Sequence, residues 1–222
     1  TYREAGITQD PATFSNEAPL LEDLYKIFNG METPEAKEMA GRLEKFVMGS
    51  AAGIFNQKSN FDIKNHFTVF GIRDLEENLR PVAMYIVLDY IWNVVRRGDP
   101  KKRVLIVDEA WYLIKHKDSG AYLHNFAKRA RKYHLGLTTI TQDVEDFLAT
   151  DEGKAIVTNS SLQIILKQST AAVDKITETF YLTGGEKHFL LSAGVGEGLF
   201  FAGQSHVGFR GIASDDERGL IE

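Results

Sequence analysis

Two acidic residues, Asp108 and Glu109, directly follow a run of four aliphatic residues, Val104 to Val107. Such a run is typical of a strand that is covered on both faces, and an open parallel sheet binds ligands beyond the carboxyl ends of its strands. Two carboxylates at that position are costly to desolvate without a cation. In a magnesium–phosphate site, Asp108 would hold the ion, directly or through water, and Glu109 would orient and deprotonate an attacking water. Alternatively, Asp108 only caps the segment that follows.

A glutamine, Gln142, stands at the end of the next predicted strand, residues 137–141. From there its amide could contact both the attacking water and a γ-phosphate, and so sense hydrolysis. The alternative is a polar residue that merely ends a strand. The acidic pair at the end of the preceding strand weakens that alternative, so the three side chains together indicate the metal-and-water half of a nucleotide-hydrolysis site.

The elements that would position these residues indicate an α/β protein. The 222 residues suit one medium domain with a small subdomain. We predict a helical subdomain and linker over residues 1–62, in which Thr33 and Pro34 begin a helix as N-cap and first-turn residue. Residues 63–222 are predicted as the core. Strand–helix alternation in its middle implies a mostly parallel sheet flanked by helices.

Two further features of the predicted core lie at its ends. A β-rich run flanked by polar residues predicts a short strand at residues 67–70. At the other end, residues 198–202 and 206–212 are predicted as a β-hairpin.

The composition excludes several kinds of site. The sequence has no cysteine, which excludes thiolate zinc, disulfides and cysteine nucleophiles, and its six histidines show no metal-ligand spacing with acids. No apolar run approaches the roughly 20 residues that a membrane-spanning helix needs. The net charge of −5 lowers the expectation of direct DNA binding, although a local basic stripe remains compatible with it.

The order and spacing of these residues resemble a known family. VLIVDEAW, residues 104–111, looks like the Walker B segment of RecA-like P-loop ATPases of the HerA/FtsK class. Further motifs resemble the C-terminal ATPase domain of the fourth VirB component of type IV secretion systems, the TraC/TraE-like conjugation ATPases: residues 129–132 (RARK), 140–142 (ITQ), Asn159 and 196–200 (GEGLF). The resemblance covers most of the chain, from about Leu20 to about Ile212.

That resemblance implies a RecA-like P-loop NTPase core that uses ATP and Mg²⁺ to power conjugative DNA transfer, protein export or pilus assembly. It implies a homo-oligomer, often a hexamer, in the cytoplasm at the inner face of the bacterial cell membrane, together with other type IV secretion components. Asp108 would assist the magnesium ion, Glu109 would be the catalytic base, and Gln142 would be the sensor glutamine.

Arg129 and Arg131 are the arginine-finger candidates. They lie on a helix predicted over residues 121–134, on opposite flanks of its apolar face. The resemblance implies that an arginine here acts in trans on the nucleotide of a neighbouring subunit, and the sequence does not choose between the two. A solvated basic helix face is the alternative.

Three weaker candidates could contact the nucleotide or a subunit interface. Lys167 and Gln168 follow the apolar run at residues 162–166, and Glu197 stands in a glycine-rich stretch. The alternatives are a polar pair that ends a strand and a tight turn before the terminal strands.

The phosphate-binding motif of the family, GxxxxGK[ST], is absent from this sequence. Gly153-Lys154 lacks both the following Ser or Thr and the upstream glycine. Since phosphate binding depends on that loop, we expect its strand to be missing from the core and the loop to precede residue 1 in a longer protein. The alternative is that the longer protein has a degenerate phosphate-binding loop. The chain alone should then bind no nucleotide and have little or no ATP turnover.

Loss of that strand would also leave a neighbouring strand, residues 137–141, with an unpaired edge and a bare apolar flank. Such an edge favours self-association. Two other functions remain open: a DNA-translocating ATPase of the HerA/FtsK type, and a non-catalytic assembly module on an ATPase scaffold. Salt-dependent DNA binding by the full-length protein would favour the former, and a corrupted phosphate loop upstream the latter.

Overall fold

The computed structural model describes residues 1–60, 63–97, 101–142 and 144–221. The chain forms two compact units, Thr1–Phe70 and Gly71–Glu222, which divide a few residues after the boundary predicted from the sequence. No helix in the described ranges is long and apolar enough to cross a membrane.

The first unit is helical. The predicted helix start is confirmed, because Pro34 occupies the first turn and the Thr33 hydroxyl accepts a hydrogen bond from the backbone N–H of Ala36 at 3.4 Å. That N–H would otherwise lack a partner inside the helix. Ala40 and Val47 are buried on the same helix. Among its described residues, the unit begins with a 3-10 turn and continues with three helices: α1 (Leu21–Gly30), α2 (Pro34–Val47) and α3 (Ala52–Phe55).

The second unit combines helices and strands, which confirms the predicted α/β class. Its elements in chain order are α4 (Arg80–Arg97), β1 (Arg103–Val107), α5 (Trp111–Ile114), α6 (Lys117–Ala130), β2 (Leu135–Thr139), α7 (Val144–Ala149), α8 (Asp151–Asn159), β3 (Leu162–Leu166), α9 (Val173–Phe180), α10 (Gly184–Ser192), β4 (Glu197–Ala202), β5 (Ser205–Arg210) and α11 (Asp215–Ile221).

In the part of the second unit that the structure describes, the strands pair in two groups. β1 and β2 are parallel, as predicted, with Val107 opposite Thr139. β3 pairs antiparallel with β4, which forms the predicted hairpin with β5. The strand predicted at residues 67–70 is wrong: this segment is neither strand nor helix, and Phe67 and Val69 are exposed. A β-rich run forms a strand only where another strand can hydrogen-bond to it.

A hydrophobic cluster lies beneath the end of β1 and determines how firmly the acidic turn is supported. Leu113 of α5 and Leu123 of α6 are fully buried in it, together with Ala110. The complete cluster is Met84, Leu88, Val107, Ala110, Leu113, Ile114, Leu123, Phe147 and Ile156. The residues that follow Asp108 and Glu109 are therefore anchored in the core.

Only one face of β1 is covered, so the prediction of a strand covered on both faces is wrong. Val107 is buried and Leu105 is half-buried, whereas Val104 and Ile106 are 72% and 60% exposed. Because side chains alternate between the two faces of a strand, the exposed pair marks one uncovered face. β3 shows the same pattern, with Ile165 buried and with Leu162, Ile164 and Leu166 exposed.

Candidate active site

The acidic turn at the end of β1 is fixed by its backbone. Glu109 has a φ of 49°, in the left-handed region that residues other than glycine seldom adopt. The N–H of Ala110 donates to the carbonyl of Ile140, and the N–H of Ile140 donates to the carbonyl of Val107, both at 2.9 Å. These two bonds continue the β1–β2 pairing past the strand ends and join the turn to the segment that precedes Gln142.

The carboxylate of Glu109 accepts a side-chain hydrogen bond on each of its oxygens. The Gln142 amide Nε2 donates to Oε1 at 2.6 Å, and the Trp111 indole Nε1 donates to Oε2 at 2.7 Å. Hydrogen bonds to an ionised acceptor are shorter and stronger than those between neutral groups. The structure thus brings Glu109 and Gln142 together, as expected from their positions at the ends of neighbouring strands.

Asp108 is exposed beside this carboxylate. Its Oδ1 accepts the backbone N–H of Glu109 at 2.9 Å, so the side chain does cap the turn, as the alternative interpretation proposed. Capping still leaves a carboxylate facing solvent. Magnesium sites in nucleotide hydrolases typically use one or two carboxylates together with waters and phosphate oxygens, and Asp108 fits that donor set. No group of three or more His, Cys, Asp or Glu side chains suited to a metal ion occurs within the described ranges.

A cleft of about 430 Å³ opens next to Glu109. The rings of Trp111 and Tyr112 are stacked with centroids 3.9 Å apart, and the ammonium of Lys115 lies 5.6 Å from the Trp111 ring centroid. On the far side, a guanidinium nitrogen of Arg80 donates to the Tyr112 hydroxyl at 3.3 Å. The residues that line the cleft are Glu109, Trp111, Tyr112, Gln142, Val144, Glu145, Ser169, Ala171 and Ala172. The ends of β1, β2 and β3 therefore meet at one site.

Sequence reasoning missed part of this cleft. A tryptophan after an acidic turn would by itself be expected to pack beneath the turn, but the indole N–H of Trp111 donates to Glu109. An aromatic residue with a ring N–H two positions after the glutamate was the available signal. Ser169 and its neighbours in the loop after β3 carry no comparable signal, because only the fold places them here.

The three weaker candidates lie outside the residues that line the cleft. Lys167 is exposed, and the side-chain amide of Gln168 donates to the carbonyl of Leu166 at 3.0 Å. Glu197 accepts the N–H of Gly194 at 2.8 Å, and its carboxylate lies 3.7 Å from the Arg210 guanidinium. Glu197 thus stabilises a tight turn, which agrees with the alternative considered for it.

The two arginines occupy different elements. Arg129 is exposed near the end of α6, which stops at Ala130. Arg131 is exposed in the 3-10 turn that follows, and His134 adopts a left-handed conformation with a φ of 55°. The helix predicted to run to His134 is therefore wrong at its end, because the chain reverses there to enter β2. Neither arginine is among the residues that line the cleft.

The pair Gly153-Lys154 lies inside α8 rather than in a loop. A Cβ atom at position 153 would lie 1.8 Å from the carbonyl oxygen of Phe147, so close packing of the backbone requires glycine there. This glycine is explained by packing and not by phosphate binding.

This chain is similar to a family model, to a curated protein and to a solved structure. The family model of the TraG P-loop domain matches residues 36–198. Protein TraC of Escherichia coli (strain K12) is 27% identical over 163 residues, which cover 66% of this chain and 19% of TraC. The solved structure of VirB4 of Thermoanaerobacter pseudethanolicus matches with a TM-score of 0.86 and 30% identity, covering 98% of this chain and 62% of that chain.

The chain thus spans about a fifth of TraC and less than two thirds of the VirB4 chain. The match to VirB4 over nearly the whole chain supports the RecA-like core predicted from the sequence. Together the comparisons confirm the resemblance to the VirB4- and TraC-like ATPases of type IV secretion. The chain therefore belongs to the TraG P-loop domain family.

Proposed function

We propose that this chain is the hydrolytic part of an ATP-driven motor domain that energises type IV secretion or conjugative transfer across the bacterial envelope. The observation that carries the proposal is the carboxylate of Glu109, which Gln142 and Trp111 hold from two sides at the carboxyl end of β1. A carboxylate in such a position can act as a base toward water in the adjoining cleft.

Glu109 would accept a proton from the attacking water on a carboxylate oxygen. Each of its oxygens already accepts one hydrogen bond, but an ionised carboxylate offers about four lone-pair sites, so acceptor capacity for a water remains. Gln142 uses its amide N–H toward Glu109, which leaves its carbonyl oxygen to accept a hydrogen bond from the same water. The two side chains together would fix the direction of attack.

Asp108 would hold Mg²⁺, which when bound neutralises charge on the β- and γ-phosphate oxygens of ATP. The phosphate cradle itself, a GxxxxGK[ST] loop, is not in this sequence and would come from the remainder of a longer protein. Arg129 and Arg131 are both exposed, so either is available to the nucleotide of a neighbouring subunit. An arginine suits that role because its guanidinium binds phosphate oxygens bidentately.

The similarity to VirB4 and TraC supports a proposal about partners. We propose a homo-oligomer, a hexamer by analogy with the family, at the cytoplasmic face of the inner membrane in contact with other type IV secretion components. The uncovered apolar strand faces of the second unit support further association.

The test measures steady-state ATP hydrolysis by the natural full-length protein. Replacing a general base costs about 10²- to 10⁴-fold in rate, so Glu109→Gln should lower kcat by that factor, and Asp108→Asn should raise the Mg²⁺ concentration needed for half-maximal rate. The matched control is Glu178→Gln, because Glu178 is an exposed glutamate on α9 that pairs only weakly with Lys175. Hydrolysis at the wild-type rate by Glu109→Gln would overturn the proposal.

The isolated chain provides a second measurement. Without the phosphate cradle it should show no ATP turnover above background. Robust hydrolysis by the 222-residue chain that disappears in Glu109→Gln would keep Glu109 as the base but disprove the need for a cradle from elsewhere.

A further inference from the structure

We infer that Trp111 is a positioning residue for Glu109: its indole N–H holds the carboxylate in the orientation from which it acts on water. The inference rests on the proposed function of Glu109 as the base. The bond is short, 2.7 Å from Nε1 to Oε2, and it joins a neutral donor to a carboxylate.

Glu109 needs such support because the fixed backbone of the turn does not fix its side chain. The residue lies in a turn with a left-handed φ, and its side chain is only half-buried. A glutamate side chain has several rotatable bonds, and an unsupported one samples many orientations. A catalytic base must instead stay within hydrogen-bond reach of the water that it deprotonates.

Trp111 is suited to be the fixed donor. It is the first residue of α5, which Leu113 and Ile114 anchor in the core. Its ring stacks on Tyr112 with an interplanar angle of 25°, and Lys115 approaches the same indole ring. The indole therefore has little freedom to turn away from the carboxylate.

Gln142 is suited to be the exchangeable donor. It is exposed and lies in the segment between β2 and α7, outside any helix or strand. When Gln142 turns toward a water or a phosphate, Trp111 still holds one oxygen of Glu109. In this arrangement Trp111 holds the carboxylate of Glu109 in place, and Gln142 can exchange its hydrogen bond to Glu109 for one to a water or a phosphate in the cleft.

The contact can be tested in the 222-residue chain by ¹⁵N labelling of tryptophan. The sequence has two tryptophans, so an NMR spectrum contains two indole N–H signals, and Trp92→Phe assigns them. Glu109→Ala should shift the Trp111 signal upfield and speed its exchange with solvent, while the Trp92 signal and the remaining backbone signals outside the turn stay in place. Gln142→Ala should move the Trp111 signal much less. An unmoved Trp111 signal in Glu109→Ala would overturn the inference.

The catalytic consequence can be tested in the full-length protein with two replacements. Trp111→Phe keeps an apolar ring and removes the donor. Trp111→His keeps a five-membered ring whose Nε2 occupies nearly the place of the indole Nε1. We expect Trp111→Phe to lower kcat at least about 10-fold with KM for ATP within twofold, and Trp111→His to recover most of the loss.

The outcomes separate positioning from packing. An unchanged kcat in Trp111→Phe, or an equal loss in both variants, would show that Trp111 acts only by filling space and would overturn the inference. If the wild-type protein hydrolyses no ATP, the proposed function fails, and the indole signals of the isolated chain still decide whether Trp111 holds Glu109.

Discussion

The side chains of Gln142 and Glu109 are joined by a 2.6 Å hydrogen bond although they lie 33 residues apart in the sequence. The contact forms because β1 and β2 are adjacent parallel strands, with Val107 and Thr139 opposite each other. Parallel strands end at the same edge of a sheet, so residues that follow them become neighbours. The pairing register of β1 and β2 thus brings the two side chains together although their segments are far apart in the sequence.

Removing the Gln142 amide should impair hydrolysis more than nucleotide binding. In the full-length protein, Gln142→Ala should lower kcat about 100-fold, because it removes both the carbonyl oxygen that would orient the attacking water and the N–H that holds Glu109. Steady-state ATPase assays over a range of ATP concentrations measure it. Gln204→Ala is the matched control, because Gln204 is exposed in the turn between β4 and β5. A kcat for Gln142→Ala equal to that of this control would contradict the sensor role.

The core beneath the acidic turn should be sensitive to truncation. Leu113 is fully buried, and Leu113→Ala should lower the free energy of unfolding by about 2–5 kcal/mol because it leaves a cavity. Val104→Ala removes an aliphatic side chain that is 72% exposed, and it should change the free energy by less than about 0.5 kcal/mol. Urea unfolding followed by far-UV circular dichroism compares them, and similar costs at the two positions would refute the described burial.

Glu186 should contribute a pH-dependent part of the stability. The Thr183 backbone N–H, which donates to Glu186 at 2.8 Å, holds the pKa of Glu186 below its ordinary value of 4.5. The Thr183 hydroxyl and His206 lower the pKa further, and burial acts in the opposite direction. Since the folded-state pKa is depressed, the stabilisation is present above pH 4.5 and disappears as the pH falls through the lower, folded-state pKa.

The variant Glu186→Gln isolates that contribution. At pH 7 the variant should melt at a lower temperature than the wild type. The difference between the two melting temperatures should become smaller as the pH falls below 4.5. Thermal unfolding at pH 7, 4.5 and 3 measures this difference. The same difference in melting temperature at all three pH values would mean that the charge of Glu186 does not contribute to stability.

The isolated chain should self-associate through its uncovered strand faces. Ile106 of β1 and Ile164 of β3 are 60% exposed, and in the described part of the chain β1 pairs only with β2 and β3 only with β4. Exposed apolar strand faces favour association with another apolar surface, and an open strand edge can in addition pair with another chain. Sedimentation velocity over a wide concentration range should show association that Ile106→Lys with Ile164→Lys weakens. Ile212→Lys, at an exposed position after β5, is the control, and a clean monomer throughout would contradict the expectation.

The meeting of Glu109 and Gln142 at the strand ends could be predicted because it depends on local residue types. Two acids after an aliphatic run, and a glutamine after the next strand, indicate strand-end ligands whatever the rest of the fold. The start of α2 could be predicted for the same reason, since Thr33 and Pro34 act on the backbone next to them. Physical effects that span two or three residues are visible in a single sequence.

Longer-range features could not be predicted. Hydrophobic periodicity does not encode strand direction, so the antiparallel pairing of β3 with β4 was not foreseen. The exposure of Val104 depends on what packs against β1, which its own sequence does not specify. The bond from Trp111 to Glu109 forms at a turn in which Glu109 has a left-handed φ, and no glycine or asparagine marks that turn in the sequence.

The left-handed backbone of Glu109 places a cost in stability on the residue that we propose as the catalytic base. A glutamate there costs about 1–2 kcal/mol that glycine would avoid. Glycine at position 109 would relieve that backbone cost, but it would also remove the carboxylate that we propose as the base. A stabilised version of this domain should therefore be selected for hydrolysis as well as for melting temperature, because relief of the backbone cost at position 109 would remove the residue that we propose as the base.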